Sequence, residues 1–326
     1  MIRVGIVGYG NVGRGAESAV LQSEDMILTG IFTRRAPNSV HPLREGTPVF
    51  PVSFLMEQKA EADVLLLCGG SATDLPVQTP EMAQRYCVVD TFDTHARIPE
   101  HFANVDAAAK AGGTAAIIST GWDPGLFSMM RLLGNSILPE GTGDTFWGPG
   151  VSQGHSDAVR RVEGVADARQ YTIPVQKTVS AVRKGESGFT PRDKHTREVY
   201  VVLKEGADPQ RVAQEIITMP NYFDAYDTTV HFISAEEMAA EHAAMPHGGF
   251  VIRSGKLGAE RQYSSLMEFK LELDSNPMFT GAIMAAFGRA CCRLHEQGKT
   301  GCFTAFDVPL GLLSPLPAET LRSKLL

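Results

Sequence analysis

Gly8-Tyr9-Gly10-Asn11-Val12-Gly13 is a G-x-G-x-x-G placed directly after an apolar, β-branched run, Ile2 to Val7. Gly8 permits a tight turn, Gly10 lets phosphate oxygens approach the backbone, and Gly13 lets the following helix pack on the strand. Amide N–H groups and the dipole at that helix start then hold a pyrophosphate, so these six residues predict a dinucleotide site. About 20 positions further on, an acidic residue would bind the ribose 2′-hydroxyl of NAD and repel a 2′-phosphate. This chain has Thr33-Arg34-Arg35 instead. A hydroxyl and two guanidiniums suit phosphate oxygens, which favours NADP.

The elements that must position these groups are written in the same stretch. Through residue 120, short β-branched runs (Ile2 to Val7, Ile27 to Phe32, Val64 to Cys68, Cys87 to Val89, Ala115 to Ser119) alternate with helical stretches. That pattern predicts an α/β fold, a Rossmann-type doubly wound parallel sheet whose strand carboxyl ends face a ligand crevice. The loops at those ends are expected to complete the cofactor site: Gly70, Ser71, Ala72 and Thr73; Thr91, Phe92 and Asp93; Thr120, Gly121, Trp122, Asp123 and Pro124. Asp123 before Pro124 also reads as a helix N-cap with proline at the first helical position.

Beyond it the runs Arg197 to Lys204, Thr228 to Ser234, Gly249 to Ser254 and Tyr263 to Leu273 alternate well. They predict a second, α+β domain with a mixed or antiparallel sheet, interrupted by a helix near Pro209 to Thr218. Met278 to Gln297 reads as one long helix with Gly298 as its C-cap. The expected division is residues 1–123 plus 277–326 for the dinucleotide and 124–276 for substrate binding and dimerisation. At 326 residues two domains are expected, closely packed, with a site between them.

Thirty basic and thirty-seven acidic residues leave a formal charge of -7, and no Lys/Arg block exists to track nucleic acid or an anionic bilayer. No apolar run approaches the roughly 18 residues of a spanning helix, and no signal peptide is read, so a cytoplasmic protein is expected. The five cysteines, Cys68, Cys87, Cys291, Cys292 and Cys302, form no C-x-x-C pair or zinc spacing and read as small hydrophobes. No metal is expected. His155-Ser156-Asp157 is no hydrolase triad, since neighbours in sequence seldom converge and no G-x-S-x-G is present.

Cys68-Gly69-Gly70-Ser71-Ala72-Thr73-Asp74, Asp90-Thr91-Phe92-Asp93, Ser119-Thr120-Gly121-Trp122-Asp123-Pro124-Gly125 and Phe146 through Asp157 together resemble the meso-diaminopimelate dehydrogenase family. Met245-Pro246-His247-Gly248-Gly249 and Asp274-Ser275-Asn276-Pro277 extend the resemblance over nearly the whole chain. It implies reversible, NADP-dependent oxidation of the D-centre of meso-2,6-diaminopimelate to L-2-amino-6-oxopimelate and ammonia, in lysine and peptidoglycan precursor synthesis, by a homodimer. By the resemblance, Asp93 and Asp123 flank the reacting amino group, with Trp147, Gln153 and Gly154 shaping the pocket beside it. Thr172 and Arg197 take the distal carboxylate, and His247 and Asn276 lie near the distal amino group.

The substrate's two ammoniums and two carboxylates require complementary groups at both poles. An ammonium must lose a proton before hydride can leave its carbon, and water must then attack the iminium. Asp93 and Asp123 are the available carboxylates, for binding with acid/base duty left open. Singly, each residue has an ordinary structural alternative: a core aromatic for Trp147, a satisfied histidine for His247, a surface ion pair for Arg197. Other readings are a dehydrogenase of different D-amino acids and a non-catalytic NADP sensor. Sugar oxidoreductases of similar plan carry a Glu-Lys-Pro segment, absent here, and semialdehyde dehydrogenases need an activated cysteine.

Overall fold

Six apolar runs in the first part of the chain pair side by side as parallel strands: β1 (Ile2–Val7), β2 (Met26–Thr33), β3 (Val49–Pro51), β4 (Val64–Leu67), β5 (Cys87–Asp90) and β6 (Ala115–Ile117). The strand Gly301–Phe303 joins from the end of the chain, and the order is β3-β2-β1-β4-β5-β6 followed by that strand. Val4, Ile6 and all four residues of β4 are fully buried. Burial on both faces is what a parallel sheet covered by helices demands. The helices are α1 (Asn11–Leu21), α2 (Phe54–Glu57), α3 (Leu75–Ala83) and α4 (Ile98–Gly112). The long helix Asn276–Glu296 crosses α1 where two glycines meet: a Cβ on Gly15 would stand 2.2 Å from the Pro277 carbonyl oxygen, and one on Gly281 would stand 2.1 Å from Gly15.

This computed structural model describes residues 1–57 and 60–326. The fold is α/β, and the chain divides into two units, Met1–Met129 with Pro277–Leu326, and Met130–Asn276. The first boundary falls inside α5 (Leu126–Ile137).

The second unit contains β7 (Thr142–Trp147), β8 (Gly150–Val151), β9 (Val165–Pro174), β10 (His195–Leu203), β11 (Asp227–Phe232), β12 (His247–Leu257) and β13 (Tyr263–Leu273). Its further helices are α6 (Gln153–Arg160), α7 (Gln176–Arg183), α8 (Pro191–Lys194), α9 (Pro209–Ile217) and α10 (Ala235–Glu241). Two sheets form, β11-β10-β9-β8 and β13-β12-β7. Only β10 and β11 run parallel, because α9 carries the chain back between them. Along β10, His195, Arg197, Val199 and Val201 alternate into the interior. The valines meet Val159 and Val162 near α6 and Val212 and Ile216 on α9. The same period-two pattern carries Arg197 inward.

Several local expectations change. The helix expected from Pro124 begins at Leu126, so Gly125 rather than Asp123 precedes it. The Asp123–Pro124 peptide bond is cis, Trp122 and Gly125 bridge across it, and Gly125 has φ +124°. The Leu126 and Phe127 amides donate to the carbonyls of Gly121 and Trp122 at 3.0 and 2.8 Å. β6 ends at Ile117, before Ser119, whose φ of +56° is incompatible with continuing the strand. β7, β8 and β9 were not legible as strands, and the second unit holds two sheets where one was expected.

Candidate functional site

The loop after β1 meets the loop after β4 at the point where the strand order reverses, the position at which doubly wound sheets bind ligands. Gly8 has φ +88°, and a Cβ there would press on the Cys68 backbone at 3.2 Å. A Cβ on Gly13 would stand 2.3 Å from the Gly8 carbonyl oxygen, whereas at Gly10 it would meet nothing within 4 Å. Two glycines are thus demanded by the fold, and the third leaves an open cradle over the start of α1. That helix start carries no side-chain cap. The arrangement fits a pyrophosphate.

Tyr9 is buried, and its hydroxyl donates to Glu17, itself fully buried. The Leu43 and Arg44 amides donate to the same carboxylate at 2.9 and 3.1 Å. The Tyr9 side chain therefore anchors the loop from inside, leaving its backbone for a ligand. Asn11 and the half-buried Val12 open α1.

At the end of β2 the Thr33 hydroxyl accepts the Arg35 amide at 3.1 Å. Arg34 holds the Asp74 carboxylate at 2.8 Å, and that oxygen also accepts the Gly70 amide at 2.9 Å. Arg35 donates to the Tyr9 carbonyl. Both arginines are exposed. Each guanidinium has five N–H donors in all, so the fork suits a further anion.

Ser71 Oγ accepts the Asp93 amide at 2.8 Å, tying together the loops after β4 and β5. Gly70, Ala72 and Thr73 are exposed beside it, as is Asp93, while Thr91 and Asp123 are half-buried. Phe92 stacks on His101 at 4.2 Å, and Trp122 meets the edge of Phe127 at 5.2 Å. Both side chains pack inward. Thr120 is fully buried, bonded through its amide and hydroxyl to the Asp90 carbonyl, and Pro124 is buried as well.

No thiolate nucleophile stands at this edge. Burial pushes the Cys68 thiol up to about 12. Cys87 is lowered to about 7 by a hydrogen bond with Cys291, but it begins β5, at the opposite edge of the sheet. Among the described residues no cluster of His, Cys, Asp and Glu is suited to a metal ion.

In the second unit Arg197 and Thr172 face each other across β10 and β9, and the guanidinium donates to the Thr172 hydroxyl. It lies over the Tyr226 ring at 4.0 Å. Arg197 is 6% exposed, and its Nε is buried without a hydrogen-bond partner. Burial lowers its pKa. Three imidazoles lie close enough to feel this charge. Burial first, and the Arg197 charge with it, lowers His155 to about 4, His195 to about 3 and His247 to about 4. They are neutral near pH 7.

His195, which the sequence reading passed over, sets Trp147. Its Nε2 accepts the Trp147 amide at 2.9 Å, and the two rings stack at 5.5 Å. Trp147 pairs with Gly249 across β7 and β12, two residues beyond His247. A Cβ on Gly150 would stand 2.4 Å from His247, and Gly150 pairs with Thr172. Met245 draws in the rest: Gln153 Nε2 lies 3.2 Å from its sulfur, and the Asn276 amide donates to its carbonyl at 3.1 Å. Gly154, in the first turn of α6, is exposed with open space beside it. The six expected residues Trp147, Gln153, Thr172, Arg197, His247 and Asn276 are joined through these contacts. His195 shares the inward face of β10 with Arg197 two residues on, and His155 comes to the same charge from α6; no motif in the chain marked either for this role.

The sheet order and glycine cradle define the class of Rossmann-type dinucleotide-binding proteins. The family described as "Diaminopimelic acid dehydrogenase C-terminal domain" matches residues 121–275. The meso-diaminopimelate D-dehydrogenase of Ureibacillus thermosphaericus is 56% identical over 326 residues, covering 100% of this chain and 99% of that one. The solved diaminopimelate dehydrogenase of C. glutamicum, in complex with DAP, is 46% identical with a TM-score of 0.91, over 99% of this chain and 98% of that one. An engineered D-amino acid dehydrogenase bound to NADP+ is 44% identical with a TM-score of 0.87, over 99% of both chains. The chain belongs to the meso-diaminopimelate D-dehydrogenase family.

Proposed function

We propose that this protein catalyses the reversible oxidative deamination of the D-configured centre of meso-2,6-diaminopimelate, giving L-2-amino-6-oxopimelate and ammonia with NADP. The observation that carries the reading is Arg197, a buried guanidinium whose Nε has no hydrogen-bond partner and that forms no ion pair with a carboxylate among the described residues. A buried charge is normally paired, so an anionic ligand is its natural partner. Thr172 adds a hydroxyl, the Asn276 side-chain oxygen offers an acceptor to the neighbouring ammonium, and neutral His247 lies beside it without adding a charge. Trp147, held by His195, with Gln153 and Gly154 walls the pocket.

NADP supplies the hydride acceptor when bound. Gly8 to Gly13 cradle its pyrophosphate, and Thr33, Arg34 and Arg35 take the 2′-phosphate, with Arg34 exchanging its Asp74 contact for the ligand. The loops at Gly70 to Thr73, Thr91 to Asp93 and Thr120 to Pro124 line the remainder. Asp93 and Asp123 hold the reacting ammonium, and carboxylates there serve its deprotonation and the later activation of water.

No helix among the described residues is long and apolar enough to cross a membrane. The protein acts in the cytoplasm, within lysine and peptidoglycan precursor synthesis, as a homodimer. Exposed Leu132, Leu133 and Ile137 on α5, each roughly half accessible, supply apolar area for the partner copy.

The test is NADP reduction with meso-diaminopimelate, the L,L isomer and D-alanine. Turnover of the meso isomer well above the other two supports the reading. Cofactor binding without turnover of any of them would favour a sensor, and better turnover of D-alanine would remove the distal charged pole.

A further inference from the structure

We propose that Asp90 is the positioning residue that sets the two loops carrying Asp93 and Asp123, a role that rests on the function proposed above. Asp90 ends β5 and is fully buried. Its two carboxylate oxygens divide the work. Oδ1 accepts the Phe92 amide at 3.0 Å and the Ser119 amide at 2.8 Å. One oxygen therefore ties the loop after β5, which leads to Asp93, to the loop after β6, which leads to Asp123. Oδ2 is held from behind, by the Thr79 hydroxyl of α3 at 2.8 Å and by His101 Nε2 of α4 at 2.7 Å. The main chain of Asp90 adds a third tie, its carbonyl accepting both the amide and the hydroxyl of Thr120 at 2.9 and 2.8 Å.

Two features separate this from ordinary core packing. An apolar residue would fill the space without the cost of desolvating a carboxylate, and a buried carboxylate persists only where donors satisfy it. Here the satisfied donors include the two loop amides. Ser119 also holds φ +56°, a conformation that L residues other than Asn and Asp rarely adopt. Its amide bond to Oδ1 holds it there, and the residues that follow, Thr120 to Asp123, take their course from that turn. His101 in turn stacks on Phe92, so the clamp grips Phe92 by both its amide and its ring. Asp90 acts through these loops and not on the substrate.

The oxygens' separate duties allow a test with distinct arms. Asp90→Asn keeps Oδ1, and its new amide can donate to Thr79 Oγ1 and to the other tautomer of His101. Asp90→Leu removes both sets of bonds. His101→Phe keeps the stack on Phe92 but releases Oδ2. Hydrogen exchange in the ligand-free proteins, read on peptides spanning 90–93 and 118–123, reports the tether directly. Turnover of meso-diaminopimelate, with deuterium at the reacting carbon, reports its consequence.

Misplacement of reacting groups by about an ångström costs up to roughly a hundredfold in rate. Asp90→Leu is therefore expected to exchange faster in both peptides, with kcat lower by about tenfold or more and a larger isotope effect on kcat. Asp90→Asn should stay within about threefold of wild type in both readouts, and His101→Phe should fall between them. Wild-type exchange and kcat in Asp90→Leu would overturn the proposal, as would Asp90→Asn being as impaired as Asp90→Leu. If Asp90→Leu does not fold, His101→Phe decides, and its matching wild type in both readouts would overturn it. Failure of wild type to oxidise meso-diaminopimelate would instead remove the proposed function, while the exchange data still read the tether.

Discussion

Replacing Arg197 by methionine separates what this residue does for function from what it does for folding. The guanidinium is 6% exposed, touches the Thr172 hydroxyl and the Tyr226 ring, and has a buried Nε with no partner. Truncating one member of a buried, hydrogen-bonded charge pair costs at least about 2–5 kcal/mol. Taking about 3 kcal/mol as the lost contact with the distal carboxylate, kcat/KM for meso-diaminopimelate should fall by roughly two orders of magnitude. D-alanine, with no distal carboxylate, should lose little. Without ligand, the same charge is an uncompensated burial, so the variant should melt higher, by about 2–4 °C for each kcal/mol recovered. Steady-state kinetics on both substrates and a thermal scan without ligand make the test. An equal loss for D-alanine, or a lower melting temperature, would refute the reasoning.

Arg34→Ala with Arg35→Ala should raise KM for NADPH far more than for NADH, measured with each cofactor in turn; equal effects would leave the 2′-phosphate without its site. His195 gives a pH prediction. Its folded pKa, depressed to about 3 by burial and then by the charges of Arg197 and Lys194, lies below the ordinary value near 6.5. The unfolded chain therefore binds the proton first, so the stability is whole above about pH 6.5 and is lost as pH falls toward 3. Melting temperature should drop across that window, and less steeply in His195→Gln, whose side-chain oxygen still accepts the Trp147 amide. Leu133→Asp with Ile137→Asp should shift sedimentation toward a monomer, and an unchanged dimer would move the interface elsewhere.

Local signals carried most of the first unit and part of the second. The glycine motif, the β-branched runs of β1, β2, β4 and β5 and the alternation of β13 each depend on neighbours within a few residues, so they were legible. The turn at Asp123–Pro124 was not, because a helix cap and a tight turn share the same dipeptide. β9 was missed although it holds Thr172, since its Val165–Pro174 run mixes charged and aromatic residues and gains its alternation from pairing with β10. Arg34 and Arg35 were legible as a fork, but the Asp74 and Tyr9 carbonyl contacts that occupy them come from other loops. The roles of Asp90 and His195 were invisible for the same reason: apart from the Phe92 amide, the partners that define them lie 11 to 48 positions away. Only the family resemblance suggests roles for Thr172, Arg197, His247 and Asn276, which no spacing in the chain could assign.

Isotope placement reads the central claim most directly. Meso-diaminopimelate carrying deuterium at the D-configured α-carbon, incubated with the enzyme and NADP, is expected to deliver that deuterium to the nicotinamide ring, detected by mass spectrometry of the recovered NADPH. The same label at the L-configured carbon should stay in the amino-oxopimelate product. Deuterium arriving from the L-centre, or from neither, would contradict the account.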